Sequence, residues 1–389
     1  MPQFSGTLRS KLPKAGTTIF TIMSGLANET GAINLSQGFP GFDVAPELIK
    51  LYHKALKEGY NQYAPMQGLM ALRERISEKM HQAYTTLYDP ETEITISAGG
   101  TQALYTAIQA IIHEGDEVIV FEPAYDSYVP AIILAGGIPV HIHLKPPGYN
   151  IPWEEVRKLV TQRTKMILIN TPHNPTGTIL TAKDMIQMEK ITAGTDIVIL
   201  SDEVYEHIIF DGYEHQSVAR FPKLAERSLI VYSFGKTFHA TGWKMGYCVG
   251  PANLMKEFRK VHQFMVFSVN TPLQHALATY LKNSEHYKHL PNFYQEKRDY
   301  FQKLLKGSAF KIIPCNGSYF QLLDYSAITT EKDTDYAIRV TKENGVASIP
   351  VSVFYNVTVD HKLLRFCFAK ENEMLERAAE KLQVIKKAS

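Results

Sequence analysis

Between residues 94 and 250, short runs rich in Ile, Val and Leu alternate with stretches whose apolar side chains recur every three or four positions. ITISAG (94–99), EVIVFEP, IPVHIHL, KMILINTP, DIVILSDE, SLIVYSFG and WKMGYCVG read as strands. TQALYTAIQAIIHEG, YDSYVPAIILAGG and TAKDMIQMEKITAG read as helices between them. Strands that are apolar along their whole length are buried on both faces, so this order predicts an α/β unit with a mostly parallel sheet covered by helices. After Pro251 the pattern changes. Helical periodicity runs to about residue 306, followed by KIIPCNGSYFQLLDY, a helix near 333–344, VASIPVSVF, LLRFCFA and a charged helix over 372–387. That order predicts a smaller α+β domain entered through a long helix. The first 45 or so residues, with NLSQGFPGF, lie outside the alternating block and are expected to pack with this second domain. The expected division is 46–285 for the large domain, and 1–45 with 286–389 for the small one.

A chain of 389 residues exceeds one ordinary core, which agrees with two domains. The formal net charge is +2, and Lys and Arg form no runs, which argues against a nucleic-acid surface. Cys248, Cys315 and Cys367 are far apart with no CxxC pair, so neither a disulfide framework nor a zinc site is expected. No apolar stretch reads as a signal peptide or a membrane helix, and the expected location is the cytoplasm. His207 and His215 form the best-looking metal pair, but no HExxH or Cys/His spacing supports them, and they are expected to be ordinary surface or strand-end histidines.

In open parallel sheets, ligands bind beyond the carboxyl ends of the strands. Those ends are SAGGTQ (97–102), EPAYDSY (122–128), NTPHNPTG (170–177), SDEVY (201–205) and SFGKT (233–237), and most of the unusual polar residues collect there. The glycine pair before a helix is either a tight turn or an anion cup, to which Ser233 and Lys244 would add donors and charge. Asp202 is either a helix cap or a buried carboxylate needing a cation. Tyr125 and Tyr128 suit packing, although Tyr125 is close enough to a strand end to stack on a flat ring. Pro175 holds Asn174 extended, and Gly177 permits a turn. Lys236 is the sharpest case. Burial and nearby cations lower a lysine's pKa and free its amine as a nucleophile toward an aldehyde. A P-loop is excluded, because no GxxxxGK[ST] is present. One cofactor suits all five ends: pyridoxal 5′-phosphate, an aromatic aldehyde with a ring nitrogen and a phosphate.

On these residues the chain resembles the class I/II aminotransferases of fold type I. Asn174 in NPTG, Asp202 and Tyr205 in SDEVY, Lys236 in SFGKTF, Lys244 in GWKMGY and Arg365 in LLRFCFA stand in the family's order, with spacings of 28 from Asn174 to Asp202, 34 to Lys236 and 129 to Arg365. NLSQGFPGF, NQYAP, TPHNPTG and SFGKTFHATGWK are most similar to the methionine aminotransferase and kynurenine aminotransferase branch. The resemblance implies a seven-stranded, mostly parallel sheet in a large cofactor-binding domain. It makes Lys236 the Schiff-base lysine and proton shuttle, and Asp202 the partner of the ring nitrogen. Tyr205 and Asn174 would bond the 3′-oxygen and Tyr125 would stack on the ring. Gly100, Thr101, Gln102, Ser233 and Lys244 would hold the phosphate, with Tyr63 reaching it from the other subunit of a homodimer. Arg365 would grip the substrate carboxylate, with Gly38 closing a backbone turn over it.

The implied reaction is transamination between an amino acid and a 2-oxo acid by a ping-pong mechanism. β-Elimination from cysteine conjugates or cystathionine on the same cofactor is the alternative, and a non-catalytic pyridoxal-phosphate sensor a more distant one. IFTIM (19–23) and FMVFSVN (264–270) are expected to line an apolar side-chain pocket, favouring methionine and aromatic donors.

Overall fold

The computed structural model describes residues 1–387. A short strand β1 (Ile33–Asn34) precedes seven longer ones: β2 (Ile94–Ser97), β3 (Glu117–Glu122), β4 (Ile138–His143), β5 (Thr164–Asn170), β6 (Val198–Asp202), β7 (Ser228–Ser233) and β8 (Gly246–Val249). These seven form one sheet in the order β2-β8-β7-β6-β5-β3-β4. Its pairs from β4 through β7 are parallel, and β8 runs antiparallel to both β2 and β7. The sheet is the mostly parallel one the sequence predicts.

Side-chain alternation assigns the two faces. Ile119, Phe121, Ile167, Ile169, Ile199 and Ile230 belong to one core. Their chain neighbours Val118, Val120, Met166, Leu168, Leu200, Leu229 and Val231 belong to the other, under the helices Gly100–Ile111 and Ala252–Met265. Every residue of β2, β3, β6 and β8 is buried, so a one-residue slip would exchange the contents of two packed cores. β4, at an edge, is the most exposed strand of this sheet, and it carries Pro139, His141 and His143.

β8 returns antiparallel to β7 through a short connection of twelve residues, 234–245, that carries Lys236 and Lys244. Its first residue therefore lies beside the last residues of two strands, with Gly246 opposite both Ser97 and Ser233. A Cβ on Gly246 would sit 2.6 Å from the Tyr232 carbonyl oxygen and 3.0 Å from the Gly99 carbonyl carbon, so only glycine fits. This close approach brings the 99–101 turn, Ser233 and the Lys236–Lys244 loop together.

The remaining strands are β9 (Lys311–Ile312), β10 (Phe320–Asp324), β11 (Val346–Ala347), β12 (Ile349–Pro350) and β13 (Leu363–Cys367). An antiparallel sheet has the order β12-β13-β10-β9, while β1 pairs in parallel with β11. The N-terminal segment is thus hydrogen-bonded to the C-terminal one. The final helix is Asn372–Gln383, shorter than the 372–387 expected, and residues 388–389 lie outside those described. No described helix is long and apolar enough to cross a membrane.

Candidate active site

A cavity of about 300 Å³ opens at the carboxyl ends of β2, β3, β5, β6 and β7. Gly38, Gly100, Thr101, Tyr125, Asn174, Asp202, Tyr205, Ser233, Lys236, Lys244 and Arg365 all line it.

At one end lies an anion cup. Gly99 has φ +84° and is the N-cap of the helix Gly100–Ile111, whose first N–H groups have no partner within the helix. A Cβ on Gly99 would lie 3.3 Å from Lys244 Nζ, and one on Gly100 would lie 3.0 Å from Val204 Cγ1. Glycine is needed at 99 by conformation, and the small residues leave room over the helix end where Lys244 brings its charge. Gln102 adds the third N–H of that helix end, while its side chain does not line the cavity. Its Oε1 accepts from the Ala98 N–H at 2.9 Å and its Nε2 donates to Thr106 Oγ1 at 2.5 Å, satisfying the turn instead.

Asp202 forms the floor. It is buried at the end of β6, where Oδ2 accepts from the Tyr128 hydroxyl at 2.5 Å and Oδ1 from the Val204 N–H at 3.3 Å. Burial pushes its carboxyl up to about 6, against the opposing hydrogen bond from Tyr128. Among the described residues it has no salt-bridge partner, which leaves the carboxylate open to a cationic ligand. Asn170 stands behind it. Asn170 Nδ2 donates to the Asp202 carbonyl at 2.9 Å, and Oδ1 accepts from the Asn174 N–H at 2.8 Å, fixing the turn that carries Asn174.

Lys236 lies in the turn Phe234–Thr237 directly after β7. Its Nζ donates to the Gly38 carbonyl at 3.0 Å and to the Tyr319 hydroxyl at 2.9 Å. Burial lowers its pKa to about 8, so a useful fraction of the amine is neutral near pH 7. Tyr205 is buried beside it, with its ring centroid 5.5 Å from Lys236 Nζ, and burial pushes its phenol pKa up.

The opposite end holds Arg365, only 1% exposed in β13. Its Nη1 donates to Asn174 Oδ1 at 2.7 Å and its Nη2 to the Ser36 carbonyl at 2.8 Å, while Nε is buried without a partner. The guanidinium lies 4.0 Å from the Phe320 ring centroid and 5.3 Å from that of Phe20. Burial lowers its pKa to about 10, and no carboxylate pairs with it among the described residues. A buried guanidinium without an anion is costly unless a ligand supplies one.

The donor set suits pyridoxal phosphate. It offers an N–H cup with a lysine for a phosphate, a buried carboxylate without a cation for a protonated ring nitrogen, and an amine of lowered pKa for an aldehyde.

Tyr63 is 81% exposed, packs edge-on against Phe267 at 5.2 Å and does not line this cavity. Of the two segments expected to form the side-chain pocket, Phe20 lines the cavity and 264–270 does not. That second segment ends a surface helix, and Phe264 is 87% exposed. His207 and His215 are not surface residues. His215 Nε2 lies 2.8 Å from buried Glu203, and His207 packs on Tyr287 at 4.8 Å. The sequence reading missed Tyr128, Asn170 and Tyr319. Asn170 and Tyr128 carried the strand-end signal; Tyr319 had no local one.

The family model for aminotransferase class I and II matches residues 30–382. The chain is 50% identical over 376 residues to methionine aminotransferase of Escherichia coli (strain K12), covering 96% of this chain and 97% of that protein. It is 34% identical to kynurenine–oxoglutarate transaminase 1 of Homo sapiens, covering 92% and 93%. A crystal structure of an Escherichia coli protein with a methionine aminotransferase function superposes with a TM-score of 0.96 at 50% identity, covering 97% of this chain and 99% of that one.

Proposed function

The chain belongs to the class I and II aminotransferases of fold type I, and from that premise we propose that it holds pyridoxal 5′-phosphate in the strand-end cavity and prefers methionine and bulky apolar or aromatic amino donors. It is an aminotransferase, taking an amino acid and a 2-oxo acid as substrates. One observation carries the cofactor reading: Asp202 without a cation, Arg365 without an anion and the lowered Lys236 amine share one cavity.

Gly100, Thr101, Ser233 and Lys244 would hold the phosphate, Asp202 would face the ring nitrogen, Tyr205 and Asn174 the 3′-oxygen, and Tyr125 a ring face. When bound, pyridoxal phosphate supplies the ring system that takes up the charge left at Cα when its proton departs. Lys236 Nζ accepts that Cα proton and later returns a proton to complete the transfer. Asp202, kept ionised by Tyr128 and the Val204 N–H, holds a proton on its ligand's nitrogen. Arg365 binds the substrate carboxylate through a fork whose present acceptors are Asn174 Oδ1 and the Ser36 carbonyl. Its unpartnered Nε is a further donor for that carboxylate. The first amino acid leaves as its 2-oxo acid before the second oxo acid enters the same fork.

The donor preference is supported by Phe20 and Phe320 beside Arg365, by the lack of a second arginine among the described lining residues, and by the names of the relatives. Those names favour transfer over β-elimination. Exposed Tyr63, Phe264 and Phe267 support a homodimer in which Tyr63 serves the partner's site. The seven-stranded sheet within 46–285 and the β1–β11 pair support a small domain made of 1–45 and 286–389, whose last two residues lie outside those described. Three buried free thiols support a reducing cytoplasmic location.

The test follows half-reactions of the purified protein with single amino acids by loss of cofactor absorbance. Methionine and phenylalanine should react faster than aspartate. Borohydride should trap the cofactor on Lys236, and an adduct elsewhere would overturn the reading.

A further inference from the structure

Tyr319 immediately precedes β10 and is fully buried. Its hydroxyl lies 2.6 Å from the Gly38 carbonyl and 2.9 Å from Lys236 Nζ, which is itself 3.0 Å from that carbonyl. A carbonyl oxygen only accepts, and a phenol has one proton. Tyr319 therefore donates to Gly38 and accepts from the Lys236 amine.

The ring has little freedom. It stands edge-on to Tyr205 at 5.0 Å, against Phe320 at 4.9 Å and tilted on Tyr294 at 5.9 Å. Gly38 is equally constrained, since a Cβ there would lie 2.8 Å from the Phe320 ring. Both acceptors of the amine thus come from outside the seven-stranded sheet that carries Lys236.

We propose that Tyr319 is a positioning residue for Lys236, forming with the Gly38 carbonyl a berth that receives the ε-amine whenever it is free. The inference rests on the role of Lys236 given above. Because both berth groups accept from the amine, they favour its ammonium form and hold it at a defined place beside the substrate end. The other charged or titratable groups facing the amine are Arg365 and Lys244, which oppose the ammonium, and Asp202 and Cys367, which favour it. Tyr205 contributes its ring face at 5.5 Å. Burial opposes the ammonium most strongly. Removal of the Tyr319 hydroxyl leaves one acceptor where there were two.

The test labels the full-length, cofactor-free protein with trace acetic anhydride between about pH 6 and about pH 10, and reads Lys236 acetylation by mass spectrometry. In Tyr319→Phe the labelling midpoint should fall by about one unit, a tenfold loss of ammonium preference. In the holoenzyme kcat for methionine should fall roughly tenfold with KM unchanged. Tyr294→Phe is the matched control: that hydroxyl is buried without a partner, and its removal should leave the midpoint where it was. Tyr319→Met, which also lacks the hydroxyl, makes the same measurement if the Phe variant does not fold. An unmoved midpoint in the Tyr319 variants, or an equal fall in Tyr294→Phe, overturns the berth. Neither result touches the aminotransferase reading, which stands on the trapped adduct at Lys236.

Discussion

The two ends of the cavity are assembled differently. At the end proposed to hold the phosphate, the cup comes from residues 97–101 and 233–246, segments locked side by side by the register of β2, β7 and β8. At the carboxylate end, Arg365 reaches Asn174 across 191 positions and Ser36 across 329, and Gly38 meets Tyr319 across 281. The first end exists once the sheet forms. The second exists only when the N-terminal segment, β10 and β13 pack over the sheet, so distant changes in that packing can reach it. Under the proposed function, this division would let the cofactor end stay rigid while the substrate end adjusts to each exchange of amino and oxo acid.

Lys236 joins the two ends, and its loss should have the largest effect. Lys236→Ala should lower turnover by about four orders of magnitude or more, since Lys236 is the group proposed both to bind the aldehyde and to accept the Cα proton. Single-turnover absorbance with methionine checks this, and appreciable residual turnover would break the assignment. Arg365→Lys tests the carboxylate end alone. A point charge cannot span the bonds to Asn174 and Ser36, so kcat/KM should fall about a hundredfold to a thousandfold while cofactor affinity is kept. Loss of cofactor as well would show that the ends are not separable.

The next effect concerns pH. The Lys236 pKa is lowered to about 8, so the reactive neutral amine grows as pH rises through that value. The rate of cofactor incorporation into the cofactor-free protein should increase roughly tenfold from about pH 7 to about pH 9, then level off. A rate still rising steeply beyond that range would return Lys236 to an ordinary lysine. The smallest effect is expected from Gly99→Ala, which forces a side chain into φ +84° beside Lys244 Nζ. It should cost about 1–2 kcal/mol of stability by denaturant titration and weaken cofactor binding, with KM for methionine unchanged.

The strand order of the sheet aside, its strands and covering helices were legible because continuous apolar runs and 3.6-residue periodicity are local properties. Asp202, Lys236, Lys244 and Arg365 were legible because their positions after strands, or their match to a family pattern, made them stand out. Gln102 shows the limit. Its position at the helix start marked it for the cup, but that its side chain turns to the Ala98 N–H and leaves only its own N–H for that role is a choice made by neighbouring geometry. FMVFSVN stays outside the cavity of its own chain, since apolar composition marks a surface to be covered, not which surface covers it.

By its own order of residues, this chain determined a helix-covered sheet with its polar chemistry at the strand ends, since secondary structure and strand-end placement follow from neighbours in sequence. Only the tertiary structure decided that Tyr128 holds Asp202, that Asn170 braces Asn174, and that Tyr319 and Gly38 receive Lys236. Each of those bonds needs two groups within about 3 Å and correctly directed. Packing of distant segments sets that distance, and no periodicity along the chain records it.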